Sequence, residues 1–181
     1  MRIIGGKYGR RLIKTPKNLT VRPTTDLAKE GLFNILNNKV DFNQKVVLDL
    51  FSGTGAISYE FLSRGCQEVT SVEMNPACFK FIKETSNKFE MDNHRIVRSD
   101  VFKFLKNHKK KYDIIFADPP YAMPNYLELV ELIFDNMLLR ENGILIIEHP
   151  IEVEFDIINY FTERIKYSKV NFSLFVYSAD N

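Results

Sequence analysis

Two short stretches hold residues that could do chemistry together. The first is Asp118-Pro119-Pro120-Tyr121. An exocyclic amine on a nucleobase is a poor nucleophile, because its lone pair is delocalised into the ring. Attack on a methyl group requires that pair to localise on nitrogen. Asp118 can accept one N–H and the Pro119 carbonyl the other, drawing the nitrogen toward tetrahedral geometry. Pro119 and Pro120 fix φ and hold that carbonyl in place, and acceptors held this way act through position and electrostatics. Tyr121 can stack on a base taken out of its helix. The plain alternative is a rigid turn with a surface tyrosine.

The second stretch is Asp49-Leu50-Phe51-Ser52-Gly53-Thr54-Gly55-Ala56, which follows an apolar run and opens a helical one. Gly53 and Gly55 let the backbone turn sharply and approach a ligand closely. The dinucleotide pattern needs a third glycine, and Ser58 stands there. This disfavours a nicotinamide or flavin oxidoreductase. Glu73 is expected to close the next strand, where a carboxylate can accept both hydroxyls of a ribose. Asp100 is expected to close the strand after that, where it can accept from an adenine amino group. Three acids at three strand ends would crowd the diphosphate of a dinucleotide. They suit a cationic ligand with an amine and a sulfonium, S-adenosylmethionine. The alternative for each acid is a helix cap.

These residues need a scaffold, and the remaining pattern supplies it. Val46–Leu50, Glu68–Glu73, Arg95–Asp100, Tyr112–Ala117 and Gly143–Glu148 read as strands. They alternate with helices over Gly53–Arg64, Pro76–Glu90, Val101–His108 and Asn125–Leu138. Such alternation means a mostly parallel, doubly wound α/β sheet. Arg164–Val170 and Phe172–Ser178 are adjacent strands with almost nothing between them, so they are antiparallel. A seven-stranded, mostly parallel sheet ending in an antiparallel hairpin is the Rossmann-like methyltransferase architecture. In it the first and fourth strands flank the switch point, which makes Asp49 and Asp118 neighbours. Ahead of this core, which spans 45–181, residues 1–38 form a basic extension. It comprises a short hairpin of Arg2–Ile4 and Arg11–Ile13, a loop Arg22-Pro23-Thr24-Thr25-Asp26, and a helix to Asn37. The whole reads as one domain, 1–181.

Charge separates the two parts. Seven of the 25 basic residues lie in the first 25 positions with no acid among them, so the other 18 face all 23 acids. A cationic arm attracts a polyanion; the bland alternative is a solvated segment. The apolar runs are too short to span a bilayer, and no apolar leader opens the chain. Two separated cysteines fit a reducing cytoplasm. His94, His108 and His149 show no ligand spacing and read as surface or cap residues, so no metal is expected. Phe102, Phe104 and Tyr8 read as packing residues, with base stacking an alternative for Tyr8.

Taken together, Arg2-Ile3-Ile4-Gly5-Gly6, Gly9-Arg10-Arg11-Leu12, Arg22-Pro23-Thr24-Thr25-Asp26, Leu32-Phe33-Asn34, the Asp49 loop, Leu62-Ser63-Arg64-Gly65, Glu73 and Asp118-Pro119-Pro120-Tyr121 resemble the RsmD-type methyltransferases. Those enzymes modify N2 of a guanine in 16S (small-subunit) ribosomal RNA. The resemblance implies S-adenosylmethionine as donor, held by Asp49, Phe51, Ser52, Gly53, Gly55, Glu73, Met74, Asp100 and Val101. It implies that Asp118, Pro119, Pro120 and Tyr121 present the guanine amine. Lys7, Arg10, Arg11, Arg22 and Thr24 would contact RNA, within an assembling small subunit, with the enzyme a monomer. The chain departs from the family at Leu27 and Lys29, where arginines are usual, and at Tyr167-Ser168-Lys169-Val170-Asn171, which lacks a Tyr-Gly-x-Thr pattern. Two rivals remain. One is a DNA adenine-N6 methyltransferase, although the chain leaves no room for a target-recognition insert. The other is a non-catalytic RNA-binding assembly factor.

Overall fold

A computed structural model describes residues 1–16, 19, 26–155, 158–167 and 170–178. In chain order the elements are α1 (Asp26–Asn37), β1 (Val46–Leu50), α2 (Ala56–Ser63), β2 (Glu68–Val72), α3 (Pro76–Lys88), β3 (His94–Val97), α4 (Val101–Asn107), β4 (Tyr112–Ala117), α5 (Tyr126–Asp135), β5 (Leu139–His149), β6 (Phe161–Tyr167) and β7 (Val170–Val176). The seven strands form one sheet in the order β3-β2-β1-β4-β5-β7-β6. The first five are mutually parallel, and β7 pairs antiparallel with both β5 and β6. This is the architecture expected from the alternation of apolar runs.

Period-two alternation along the strands sends side chains to opposite layers. Val47, Ile114, Phe116, Ile146 and Phe172 join the helices α1, α2 and α3 in one apolar cluster. Leu48, Leu50, Ile115, Ala117 and Ile147 join α4 and α5 in another. Each large side chain so buried contributes about 1.5–3 kcal/mol, which holds the strand ends in fixed register. Strand order reverses between β1 and β4, which places the switch point where it was expected.

Several boundaries differ from the sequence expectation. The helix after the glycine loop begins at Ala56, not Gly53, because Gly53 and Gly55 have φ of 54° and 78°, outside the helical region. The third strand ends at Val97, before Asp100. The N-terminal hairpin contains a single antiparallel bridge, Arg2 with Leu12. Its remaining order comes from backbone bonds such as Arg10 N–H to Ile3 O at 2.8 Å and Ile13 N–H to Met1 O at 3.0 Å.

Candidate active site

Segments at the carboxyl ends of four strands, β1 to β4, supply the candidate site. On β1, Asp49 is 1% exposed, and its carboxylate accepts the Ser58 hydroxyl from α2. Burial pushes the Asp49 carboxyl up to about 7. The Ser58 bond opposes that rise, and the neighbouring Asp118 and Glu73 charges add to it. The loop beyond is held from both sides. Ser52 N–H donates to Val72 O at 3.1 Å, and the Ser52 hydroxyl donates to Asp49 O at 2.7 Å. Phe51, Gly53 and Gly55 all take left-handed φ, and Phe51 is half-buried. At Gly55, the N-cap of α2, a Cβ would come within 2.9 Å of the Tyr59 ring, so a side chain there meets both strain and a clash.

Glu73 follows β2 directly. One of its oxygens accepts the Gly53 amide at 2.8 Å and the other the Asn75 amide at 2.7 Å. The residue therefore braces the glycine loop. A carboxylate has about four lone-pair sites, so it retains capacity for ligand hydroxyls. Met74 beside it is 64% exposed. Asp100 is exposed and caps α4, accepting Lys103 N–H at 2.9 Å. It thus lies three residues beyond its strand and fulfils the helix-cap alternative. Val101 is buried in the α4–α5 layer.

Asp118 follows β4, and its amide donates to Leu50 O of β1 at 3.5 Å. This ties the Asp-Pro-Pro-Tyr segment to the strand that carries the glycine loop. Asp118 is half-buried, Pro119 buried and Pro120 exposed. Tyr121 is 44% exposed, as a stacking ring must be. The sequence-predicted acids Asp49, Glu73 and Asp118 are therefore brought together, close enough for the last two charges to act on the first.

The described residues of the basic extension are docked on α2. Glu60 of α2 is fully buried and accepts the Ile4 amide at 2.6 Å. It also pairs with Lys29 of α1 at 3.2 Å and with Arg64. Lys29, only 1% exposed, donates in turn to Arg2 O. Ser63 accepts Lys7 N–H at its backbone oxygen (2.7 Å) and Tyr8 N–H at its hydroxyl (2.9 Å). A Cβ on Gly6 would sit 1.8 Å from Ser63 O, so only glycine permits this approach. Lys7, Arg10 and Arg11 remain exposed, while Tyr8 is buried with Arg11 over its ring at 5.1 Å. Arg22 and Thr24 lie outside the described residues, as do Ser168 and Lys169.

A family model described as conserved hypothetical protein 95 matches residues 1–177. The chain belongs to this family, the RsmD-type methyltransferases. Ribosomal RNA small subunit methyltransferase D of Escherichia coli K12 is 33% identical over 152 residues, covering 84% of this chain and 76% of that protein. Its namesake from Buchnera aphidicola (subspecies Baizongia pistaciae) is 33% identical over 148 residues, covering 82% and 75%. Among solved structures, Escherichia coli yhhF, provisionally described as a methyltransferase, superposes with a TM-score of 0.88. It is 30% identical over 99% of this chain and 98% of that one.

Within this RsmD-type site, sequence reading missed a buried polar chain. When Asp49 is ionised the Ser58 hydroxyl donates to it, so Ser71, 2.5 Å away, donates to Ser58. Ser71 then accepts from His94 Nε2 at 2.6 Å, and His94 Nδ1 accepts from Ser86 at 2.7 Å. Every donor points toward Asp49, and the His94 tautomer follows from that. Burial lowers the His94 pKa to about 3. A cavity of about 300 Å³ lined by Ser86 and His94 lies at the far end. The expectation that the histidines are surface or cap residues holds for His108, the C-cap of α4, and is corrected for the other two. His94 bridges two serines, and His149 is fully buried against Ser173 (2.8 Å), because β2, α3 and β7 supply partners no local pattern announces. Ser58, first noted only as a missing glycine, was the available signal. Among the described residues no group of three or more His, Cys, Asp or Glu is arranged to hold a metal, and no helix is long and apolar enough to cross a membrane.

Proposed function

We propose that the chain transfers a methyl group from S-adenosylmethionine to the exocyclic N2 amine of a guanine in small-subunit ribosomal RNA. The observation that carries this is the junction of Asp118 with the glycine-loop strand: the Asp118 amide bonds to Leu50 O, and the Asp118 charge acts on Asp49. An amine gripped at Asp118 therefore lies beside whatever the loop holds. The loop fits the donor. Gly53 leaves room for close backbone approach, Gly55 lets the loop close tightly on Tyr59, Asp49 offers an acid to an amine, and Glu73 retains acceptors for ribose hydroxyls. Phe51, Ser52, Met74, Asp100 and Val101 complete the proposed lining.

When bound, S-adenosylmethionine supplies a methyl carbon made electrophilic by its positive sulfur. Asp118 accepts one N–H of the amine and the Pro119 carbonyl the other, which localises the nitrogen lone pair. That pair forms the N–C bond as the C–S bond breaks and its electrons pass to sulfur. The nitrogen, briefly cationic, then loses a proton, and Asp118 is the first acceptor in reach. Holding these acceptors in place avoids reorganisation at the moment of reaction. Tyr121 stacks on the base.

Lys7, Arg10 and Arg11, with Arg22 and Thr24 beyond the described residues, are the proposed RNA contacts. The names of the relatives support ribosomal RNA as the substrate class. The dinucleotide alternative is weakened further by Ser58, whose hydroxyl serves Asp49 where a third glycine would leave it unsatisfied. The test is Asp118→Ala, incubated with labelled methyl donor and small-subunit RNA or particles from cells lacking the gene. Methyl transfer should be abolished while donor affinity stays within a few-fold of wild type. Wild-type rates in this variant would overturn the assignment.

A further inference from the structure

The carboxyl end of β5 stands beside that of β4. Ala117 and Ile147 are register partners, so the next step along each strand brings Asp118 and Glu148 abreast. Two residues earlier, Phe116 and Ile146 both enter the α1–α3 layer. By period-two alternation Asp118 and Glu148 belong to that same side. Glu148 is 5% exposed.

Tyr126, the first residue of α5, packs in the opposite layer against Phe155, close enough to the strand ends for Asp118 and Glu148 to act on its hydroxyl. It is 4% exposed, and its hydroxyl is a buried group with no hydrogen-bond partner among the described residues. Burial, followed by the influence of Asp118, Tyr121 and Glu148, pushes this phenol up to about 12, so it keeps its proton and remains a donor. Buried polar groups are otherwise satisfied in folded proteins, and an orphan at the edge of a proposed active site points to an arrangement completed on binding.

The bases that carry an exocyclic amine differ beside it. Adenine shows a lone pair at N1 and cytosine a lone pair at N3. Guanine shows an N1–H donor next to its N2 amine. A second carboxylate next to the one that grips the amine therefore accepts from guanine and faces a lone pair in the other two. We propose that Glu148 selects guanine by accepting its N1–H while Asp118 holds the N2 amine, with the Tyr126 hydroxyl donating to Glu148 as a positioning residue. The proposal rests on the guanine-N2 reading above and names what enforces it. Sites built to bond an N–H reject analogues that lack it far more strongly than apolar pockets reject a missing methylene.

The probe is 2-aminopurine, which keeps the amine at C2 but carries a lone pair at N1. After the methylated guanine has been mapped by nucleoside mass spectrometry, RNA is made with guanine or 2-aminopurine at that position. The wild-type kcat/KM should favour guanine by about 100-fold or more. Glu148→Gln, whose amide can turn its NH2 toward a lone pair, should cut this preference to below about tenfold. Tyr126→Phe removes only the unpartnered hydroxyl; it should lower the same ratio while leaving the thermal midpoint unchanged. A wild-type ratio near one overturns the inference, and so does a large ratio that both variants retain, since contacts to O6 would then explain it. Absence of any guanine product from wild-type enzyme on small-subunit RNA would instead overturn the parent reading.

Discussion

Asp49 offers the sharpest quantitative test, because its environment and its proposed partner pull in opposite directions. Its carboxyl is pushed up to about 7 by burial, and an incoming ammonium favours the ionised form. If binding requires that form, the apparent affinity for S-adenosylmethionine follows the ionised fraction. That fraction falls from about one half at pH 7 to about one hundredth at pH 5, so affinity should drop about 50-fold, or about 2 kcal/mol. A carboxyl at its ordinary value of 3.8 would lose less than about a tenth over the same range. Calorimetric titration at pH 5, 6 and 7 reads this directly. Titration of Asp49→Asn supplies the baseline for every other group. Stability gives a second readout with its own sign. The folded state holds a proton that the unfolded chain releases between pH 4 and pH 7, so this group's contribution to stability declines as pH rises through that window. The difference between Asp49→Asn and wild type should therefore climb by about 1.4 kcal/mol per pH unit from pH 4 to pH 7 and then level off. Parallel curves for the two proteins in both experiments would refute the buried, proton-holding carboxyl and, with it, Asp49 as the amine's partner.

Ser58→Ala removes the bond that favours the ionised carboxylate. The pH midpoint of donor binding should move above 7, and an unmoved midpoint in the same titration would show that the hydroxyl does not act on Asp49. Glu60→Ala leaves buried Lys29 with only the more exposed Asp26, 3.6 Å away, as charge partner, a loss of up to about 3–5 kcal/mol. Urea denaturation should show it as a lower midpoint, and a shift below about 1 kcal/mol would count against the buried pair as the lock. Replacing Arg10 and Arg11 together by Glu should weaken RNA binding and flatten its dependence on salt. Filter binding from 50 to 200 mM salt measures both, and an unchanged slope would remove these side chains from the interface.

How much of this could be read in advance depended on whether a residue's role is local. The helix from Asp26 to Asn37 and the strands Val46–Leu50 and Tyr112–Ala117 appear where propensity and alternation put them. Asp49, Glu73 and Asp118 meet because parallel-sheet topology fixes where strand ends go. Asp100 does not close its strand, because β3 stops at Val97 and the residue ahead of α4 serves as that helix's cap. The C-terminal strands were legible as a hairpin but begin earlier, at Phe161 and Val170, since pairing of β7 with β5 sets their register. Glu60 and His94 were not legible in role. A glutamate in a helix reads as solvated, and its burial follows from α1 and the N-terminal extension closing over it.

One short helix explains why the basic extension belongs to the site. α2 is capped by Gly55 of the glycine loop, carries Ser58 against Asp49, and ends with Glu60 and Ser63 bonded to Ile4, Lys7 and Tyr8. A free arm would lose about 1–2 kcal/mol of backbone entropy for each residue ordered on RNA. Here that ordering is done in the folded protein, so Lys7, Arg10 and Arg11 sit at a fixed place relative to Asp118. Phosphate contacts carry no sequence information but do fix register. On the proposed function, a rigid basic face joined through α2 to the glycine loop would convert a non-specific contact into a constraint on which nucleotide can reach Asp118. The extension would then govern where on the RNA the protein acts, and the strand ends would govern which base.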